Sequence, residues 1–195
     1  MARLRVGLFG GSFNPPHVGH VLAATYVLST AQVDRVLVVP VYEHALRKSL
    51  EPFESRLHLA RAAFERISGV EVSDVEATLG APSRTLNTVQ FLMQEHPDWD
   101  LRLMVGSDIL GEIHQWHAFE EVRRLAPPLV LARAGDAHAD AGACLLPEVS
   151  STEVRTLLEG RPEVGLGAAE ARLKARVPAG VLELILRDGL YRDTA

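Results

Sequence analysis

The sequence predicts an α/β fold: a doubly wound parallel sheet with helices on both faces and a small helical C-terminal part. Three observations carry this. Short apolar or β-branched runs alternate with amphipathic stretches from Leu4 to Leu146. The 195 residues are 47% apolar and 23% charged, ordinary globular values for a chain long enough to bury a sizeable core. No repeat, linker or low-complexity segment divides the chain, so one domain over 1–195 is expected, with a core of about 1–148 and a helical part of about 149–195.

The elements follow in order. Leu4–Phe9 is apolar and stops at two glycines, a first strand; Val18–Leu28 has near-helical apolar spacing, a first helix. Val33–Val41 is β-branched and reads as a buried second strand, followed by a charged loop over Glu43–Glu54. Ser55–Ile67 is an amphipathic helix, Val70–Val75 an alternating strand and Thr85–Gln94 a further helix. Leu101–Val105 is a fourth strand, Phe119–Leu125 a short helix and Leu129–Ala132 a fifth strand. A polar loop over Ala134–Gly142 leads to a brief strand, Ala143–Leu146, and then to helices at Ser151–Leu158 and Ala179–Arg187. Parallel sheets of this kind bind ligands beyond the carboxyl ends of their strands, so the loops after Phe9, Pro40, Val105 and Ala132 matter most.

Composition excludes several classes. The net charge of −5 argues against a nucleic-acid-coating protein. No apolar run approaches the roughly 20 residues that span a bilayer, so no membrane role is expected. One cysteine, Cys144, cannot close an internal disulfide, which fits a cytoplasmic protein. Lys48-Ser49 lacks the glycines of a phosphate-binding P-loop, and Gly10-Gly11-Ser12 lacks the last glycine of a nucleophile elbow. Asp136, His138 and Asp140 alternate in a Gly/Ala-rich loop and read as a solvated turn, so no protein metal site is expected.

The informative stretch is Gly10-Gly11-Ser12-Phe13-Asn14-Pro15-Pro16-His17-Val18-Gly19-His20. It follows a strand and opens a helix. His17 and His20, three apart, share a face at the positive end of the helix, where open backbone amides favour a phosphate. Gly19 is expected to leave room for that ligand. A second stretch, Val149-Ser150-Ser151-Thr152-Glu153-Val154-Arg155, precedes an apolar-periodic helix. Ser150 or Ser151 is its expected N-cap, with Arg155 one turn inside. Taken alone, this segment also fits an ordinary capped helix with a surface arginine.

The first stretch resembles the signature of the His-x-Gly-His nucleotidyltransferases, matched by His17-Val18-Gly19-His20. Within them the chain is most similar to the bacterial nicotinate-nucleotide adenylyltransferases. Gly106-Ser107-Asp108-Ile109 is similar to their Gly-x-Asp segment, Val149–Arg155 to their Ile-Ser-Ser-Thr-x-x-Arg signature, and Gly189-Leu190-Tyr191 to their usual ending.

The resemblance implies a Rossmann-like fold and adenylyl transfer from ATP to nicotinate mononucleotide, giving deamido-NAD and pyrophosphate. It implies His17, His20 and Arg155 as catalytic groups. ATP contacts are implied for Gly10, Gly11, Ser12, Phe13, Asn14, Gly106, Arg133, Ser150, Ser151 and Thr152. The mononucleotide is implied to meet Arg47 or Lys48, Thr85, Thr88, Asp108 and Trp116, with Mg2+ carried on the ATP phosphates; taken alone, Asp108 also fits a helix N-cap and Trp116 a core or rim aromatic. Ionisation of the attacking phosphate monoester, with a second pKa of about 6, makes a general base unnecessary.

The chain departs from the family pattern in several places. Arg84 and His117 stand where aromatics are usual, Asn14 where Asp is frequent, and 41–48 lacks a Pro-His-Lys. Arg84 is expected near the pyridine carboxylate, where it would favour the acid over the amide. The competing functions are transfer to nicotinamide mononucleotide or another phosphomonoester, and a nucleotide-binding regulator without turnover.

Overall fold

The computed structural model describes residues 3–43, 50–107, 111, 116–133, 145–161 and 166–192. Six strands form one parallel sheet: β1 (Leu4–Gly11), β2 (Arg35–Pro40), β3 (Val70–Val72), β4 (Trp99–Gly106), β5 (Pro128–Arg133) and β6 (Leu145–Leu146). Their order is β3-β2-β1-β4-β5-β6. The strand order therefore reverses between β1 and β4, which opens a crevice beyond the carboxyl ends of these two strands.

Eight helices cover the sheet: α1 (Val18–Ser29), α2 (Phe53–Phe64), α3 (Val75–Leu79), α4 (Thr85–Glu95), α5 (Phe119–Leu125), α6 (Ser151–Glu159), α7 (Glu170–Lys174) and α8 (Ala179–Arg187), counting the described residues. Both faces are buried because the strands are apolar at successive positions. Val36 and Val38 of β2 and Met104 of β4 join α1, α2, α6, α7 and α8 in one cluster. Leu37 and Val39, with Leu103 and Val105 of β4, join α3, α4 and α5 in the other. The C-terminal helices thus share a core with α1 through Val154, Leu158, Leu173, Val181 and Ile185.

The expected doubly wound sheet with helices on both faces is what the molecule has. Three local readings are corrected. β1 continues through Gly10 and Gly11, paired with Val39 and Pro40, because a ladder needs backbone rather than apolar side chains. The third strand ends at Val72. Asp74 then precedes the short helix α3, which stops at Gly80 (φ 77°), a helix that the strand reading over Val70–Val75 obscured. Val33 and Asp34 belong to the turn before β2, where the Asp34 carboxylate accepts from the Arg5 guanidinium at 2.6 Å and from the Arg5 N–H at 2.9 Å. No apolar period marks helix α7, which at five residues is too short for one to register.

Candidate active site

β1 delivers its loop to the sheet crevice, and α1 begins at once. His17 is the N-cap of α1, with extended backbone (φ −138°, ψ 173°). Its N–H donates to Nδ1 of His20 at 3.1 Å. The two rings stack with centroids 3.8 Å apart and an interplanar angle of 29°. Because Nδ1 of His20 accepts, the ring carries its proton on Nε2. His17 is only 2% exposed, whereas His20 is half-buried. The two rings lie together, as their spacing leads one to expect, but unequally: His17 lies beneath, and His20 presents surface.

Two further expectations about this turn change. The space beside Gly19 is filled by the protein itself, since a Cβ there would lie 3.1 Å from both Cε1 and Nδ1 of His17. The first amide of α1 is not open either: Val18 N–H donates to the Arg176 carbonyl at 2.8 Å. Gly19→Ala accordingly separates stability from activity. Alanine in a helix gains roughly 0.5–1 kcal/mol over glycine, which offsets the cost of pushing the ring aside. The expected result is a thermal midpoint within about 3 °C of the parent and a kcat about tenfold lower, from the shifted stack.

The rest of the loop is held from inside. Phe13 (φ 46°) is fully buried, its ring edge-on to Phe9 and Phe64 and tilted against His20 at 4.9 Å. Its side chain supports the histidine from within the core, so an ATP contact from Phe13 is limited to backbone. Asn14 is 2% exposed, and its Oδ1 accepts from Glu51 N–H and the Tyr191 hydroxyl. That side chain is also structural. Gly10 is exposed and Gly11 and Ser12 are half-buried, at the end of β1 where ligand approach is open.

The second signature reaches the same loop. Ser150 is the N-cap of α6, its Oγ accepting from Glu153 N–H at 3.1 Å. Ser151 Oγ donates to the Pro15 carbonyl at 2.9 Å. Arg155 Nη1 donates to the Asn14 carbonyl at 2.7 Å, and Nη2 to Thr152 Oγ1 at 3.2 Å. Segments that are 141 residues apart in Arg155 and Asn14 are thus bonded directly. Gly106 closes β4, the neighbour of β1 in the sheet, and the backbone of Arg133 closes β5.

The second substrate's expected residues are less completely assembled. Arg84 is exposed on the rim of a shallow depression lined also by Ser83, Asn87 and Thr88. Thr85 opens α4. Thr88 is 2% exposed and its hydroxyl donates to Glu76 Oε1 at 3.2 Å, so it braces the interior rather than facing the depression with a spare group. Trp116 is half-buried, edge-on to Phe119 at 5.9 Å. Arg47, Lys48 and Asp108 lie outside the described residues, as do Asp136, His138 and Asp140.

Comparison with known proteins bears on this arrangement. A model of the cytidylyltransferase-like family matches residues 8–157. A protein of Anaeromyxobacter sp. (strain K) named "Probable nicotinate-nucleotide adenylyltransferase" is 39% identical, over 96% of each chain. A protein of the same name from Myxococcus xanthus is 39% identical over 96% of this chain and 95% of its own. The chain belongs to the nicotinate-nucleotide adenylyltransferase family. The Plasmodium falciparum nicotinic acid mononucleotide adenylyltransferase solved with NaAD superposes with a TM-score of 0.79 over 96% of this chain and 97% of that one. At 18% identity this likeness concerns the fold.

In this member of the nicotinate-nucleotide adenylyltransferase family, two buried charged residues at the site, Arg56 and Glu76, belong to no motif of the sequence. Arg56 is 1% exposed and donates to the carbonyls of Glu51 (2.8 Å), Ser12 (2.9 Å) and Tyr42 (3.2 Å). Burial lowers its pKa from the usual value, yet an arginine remains charged. It ties the loop after β1 to the loop after β2. Its signal was present: Arg56, Ala60 and Ala63 share the apolar stripe of α2, and a charge in such a stripe needs a reason. Glu76 is 8% exposed, its carboxylate accepting from Tyr42 N–H and Thr88. No spacing rule flagged it, because its partners come from distant segments.

Proposed function

We propose that the protein transfers the adenylyl group of ATP to nicotinate mononucleotide, forming deamido-NAD and releasing pyrophosphate, a step of NAD biosynthesis. The observation that carries this reading is the bonding of the α6 signature to the histidine loop, Arg155 to Asn14 and Ser151 to Pro15. It gathers cationic and donor groups where the switch point of the sheet opens. Membership in the family supports the same reaction.

The nucleophile is a phosphate monoester oxygen of the mononucleotide, ionised at neutral pH. It attacks the α-phosphorus in line, a P–O bond forms, and the bond to pyrophosphate breaks. Side chains have no proton to remove, so alignment and charge dispersal are the protein's task. His20 Nε2–H and the Arg155 guanidinium donate to the triphosphate. His17 holds the plane and tautomer of His20. Nucleotidyltransferases of this kind generally use a divalent metal with ATP; here Mg2+ arrives as part of the nucleotide substrate and neutralises phosphate charge.

Arg84 favours the acid substrate through a charge-assisted hydrogen bond to the pyridine carboxylate. The decisive assay is pyrophosphate release from ATP with nicotinate mononucleotide, nicotinamide mononucleotide and phosphopantetheine. The highest kcat/KM is expected for the first, and release with none of them would remove the reading. In Arg84→Ala the acid-to-amide ratio of kcat/KM is expected to fall about tenfold, the worth of one charged hydrogen bond. An unchanged ratio would leave Arg84 a surface residue.

A further inference from the structure

The C-terminal end of the described chain runs into the catalytic loop. The Tyr191 hydroxyl donates to Asn14 Oδ1 at 3.0 Å, across 177 residues of sequence. Glu51 N–H donates to the same oxygen at 3.1 Å, so both of its lone pairs are used. The Asn14 carbonyl accepts from Arg155 and the next carbonyl, of Pro15, from Ser151. His17 follows two residues later. Asn14 is thus gripped by its side chain on one side and by the phosphate-binding signature on the other.

Tyr191 is itself unusually well held. It is 6% exposed, with a left-handed backbone (φ 56°) that an aromatic residue adopts only when its surroundings demand it. Its N–H donates to Glu51 Oε1 at 3.2 Å and its carbonyl accepts from Arg161 Nη1 at 3.0 Å. Arg161 Nη2 binds the Leu190 carbonyl at 2.6 Å. Arg161 is 8% exposed, so a buried guanidinium is committed to two carbonyls of the tail. Burial pushes the Tyr191 phenol well above its usual pKa, keeping it a hydrogen donor at working pH. An anchor needing only apolar contact would be served equally by phenylalanine.

We propose that Tyr191 is a positioning residue for adenylyl transfer: locked by Arg161, its hydroxyl fixes Asn14 and thereby the loop on which Arg155 and His20 are aligned. This rests on the adenylyl-transfer reading. Tyr191→Phe removes the hydroxyl alone. The expected result is a kcat about tenfold lower with KM for both substrates within about twofold, since misalignment penalises chemistry more than binding. Tm should fall by no more than about 2–4 °C, the effect of one neutral hydrogen bond in a chain of this size.

In an Asn14→Ala background the same substitution should change kcat no further, because the tie is already cut. Proton–carbon NMR should show the His20 ring resonance shifted in Tyr191→Phe. An unchanged kcat in Tyr191→Phe overturns the proposal, as does an equal loss in both backgrounds. Should Tyr191→Phe fail to fold, Arg161→Lys, which keeps the charge but not the two-pronged grip, must give the same kcat-selective loss, and its absence also overturns the proposal. Without pyrophosphate release by the parent protein, the adenylyl-transfer reading fails separately, while the His20 resonance still reports whether the tie exists.

Discussion

His20→Ala is expected to lower kcat by about 10²–10³-fold, the loss found when one preorganised donor to developing charge is removed, or about 3–4 kcal/mol of barrier. The geometry makes the loss specific. Nδ1 is occupied by the N–H of His17, which places the remaining proton at Nε2 on the half-buried edge of the ring. His20→Gln retains an N–H near the Nε2 position and should recover part of the lost rate, whereas alanine restores nothing. Steady-state pyrophosphate release measures both variants. A kcat within threefold of the parent for His20→Ala would show that the imidazole does not meet the reacting phosphates. About 1 kcal/mol of stability should be lost as well, because the buried His17 N–H loses its acceptor, while the Phe13–Phe64 contact remains.

Arg155→Ala carries the second large effect, for two additive reasons. On the proposed adenylyl-transfer reading it removes a cation that meets the triphosphate, and it releases the Asn14 carbonyl that Nη1 now engages at 2.7 Å. A loss of about 10²–10³ in kcat/KM is expected from the charge, with about 1–2 kcal/mol of stability lost from the freed carbonyl. Arg155→Lys keeps the charge but offers one ammonium where the guanidinium meets Asn14 and Thr152 together. It should therefore recover less than a tenth of the parent activity. Urea unfolding read beside kcat/KM separates the two contributions. Equal activity for Lys and Arg would mean that the fork to Asn14 and Thr152 is irrelevant to turnover.

Much of the fold was legible because its signal is local. Helix α5 and helix α8 have the ends that the sequence predicts, since apolar periodicity begins and stops within a few residues of Ala118 and Asp188. β1 runs two residues past its apolar pattern because Gly10 and Gly11 carry no side chain to register in one. Helix α3 leaves no such signal, because its five residues between Asp74 and Gly80 hold too little of a helical period. At the site, His17, His20, Ser150 and Arg155 were legible as residue types beside helix starts. Arg56, Glu76 and Tyr191 were not assigned to the site, because each acts through partners contributed by other loops.

From its order of residues alone, this chain already had a parallel α/β architecture, a glycine-rich turn feeding a helix with two histidines, and a capped helix carrying Arg155. Those features depend on neighbours a few positions apart, and hydrophobic period, capping and turn chemistry operate over that range. Which imidazole faces outward, what fills the space beside Gly19, and what holds Asn14 in place were decided only by folding. There, folding brings the loop after β1 against the start of α6, and burial drives Asn14, Arg56 and Glu76 to partners from remote segments.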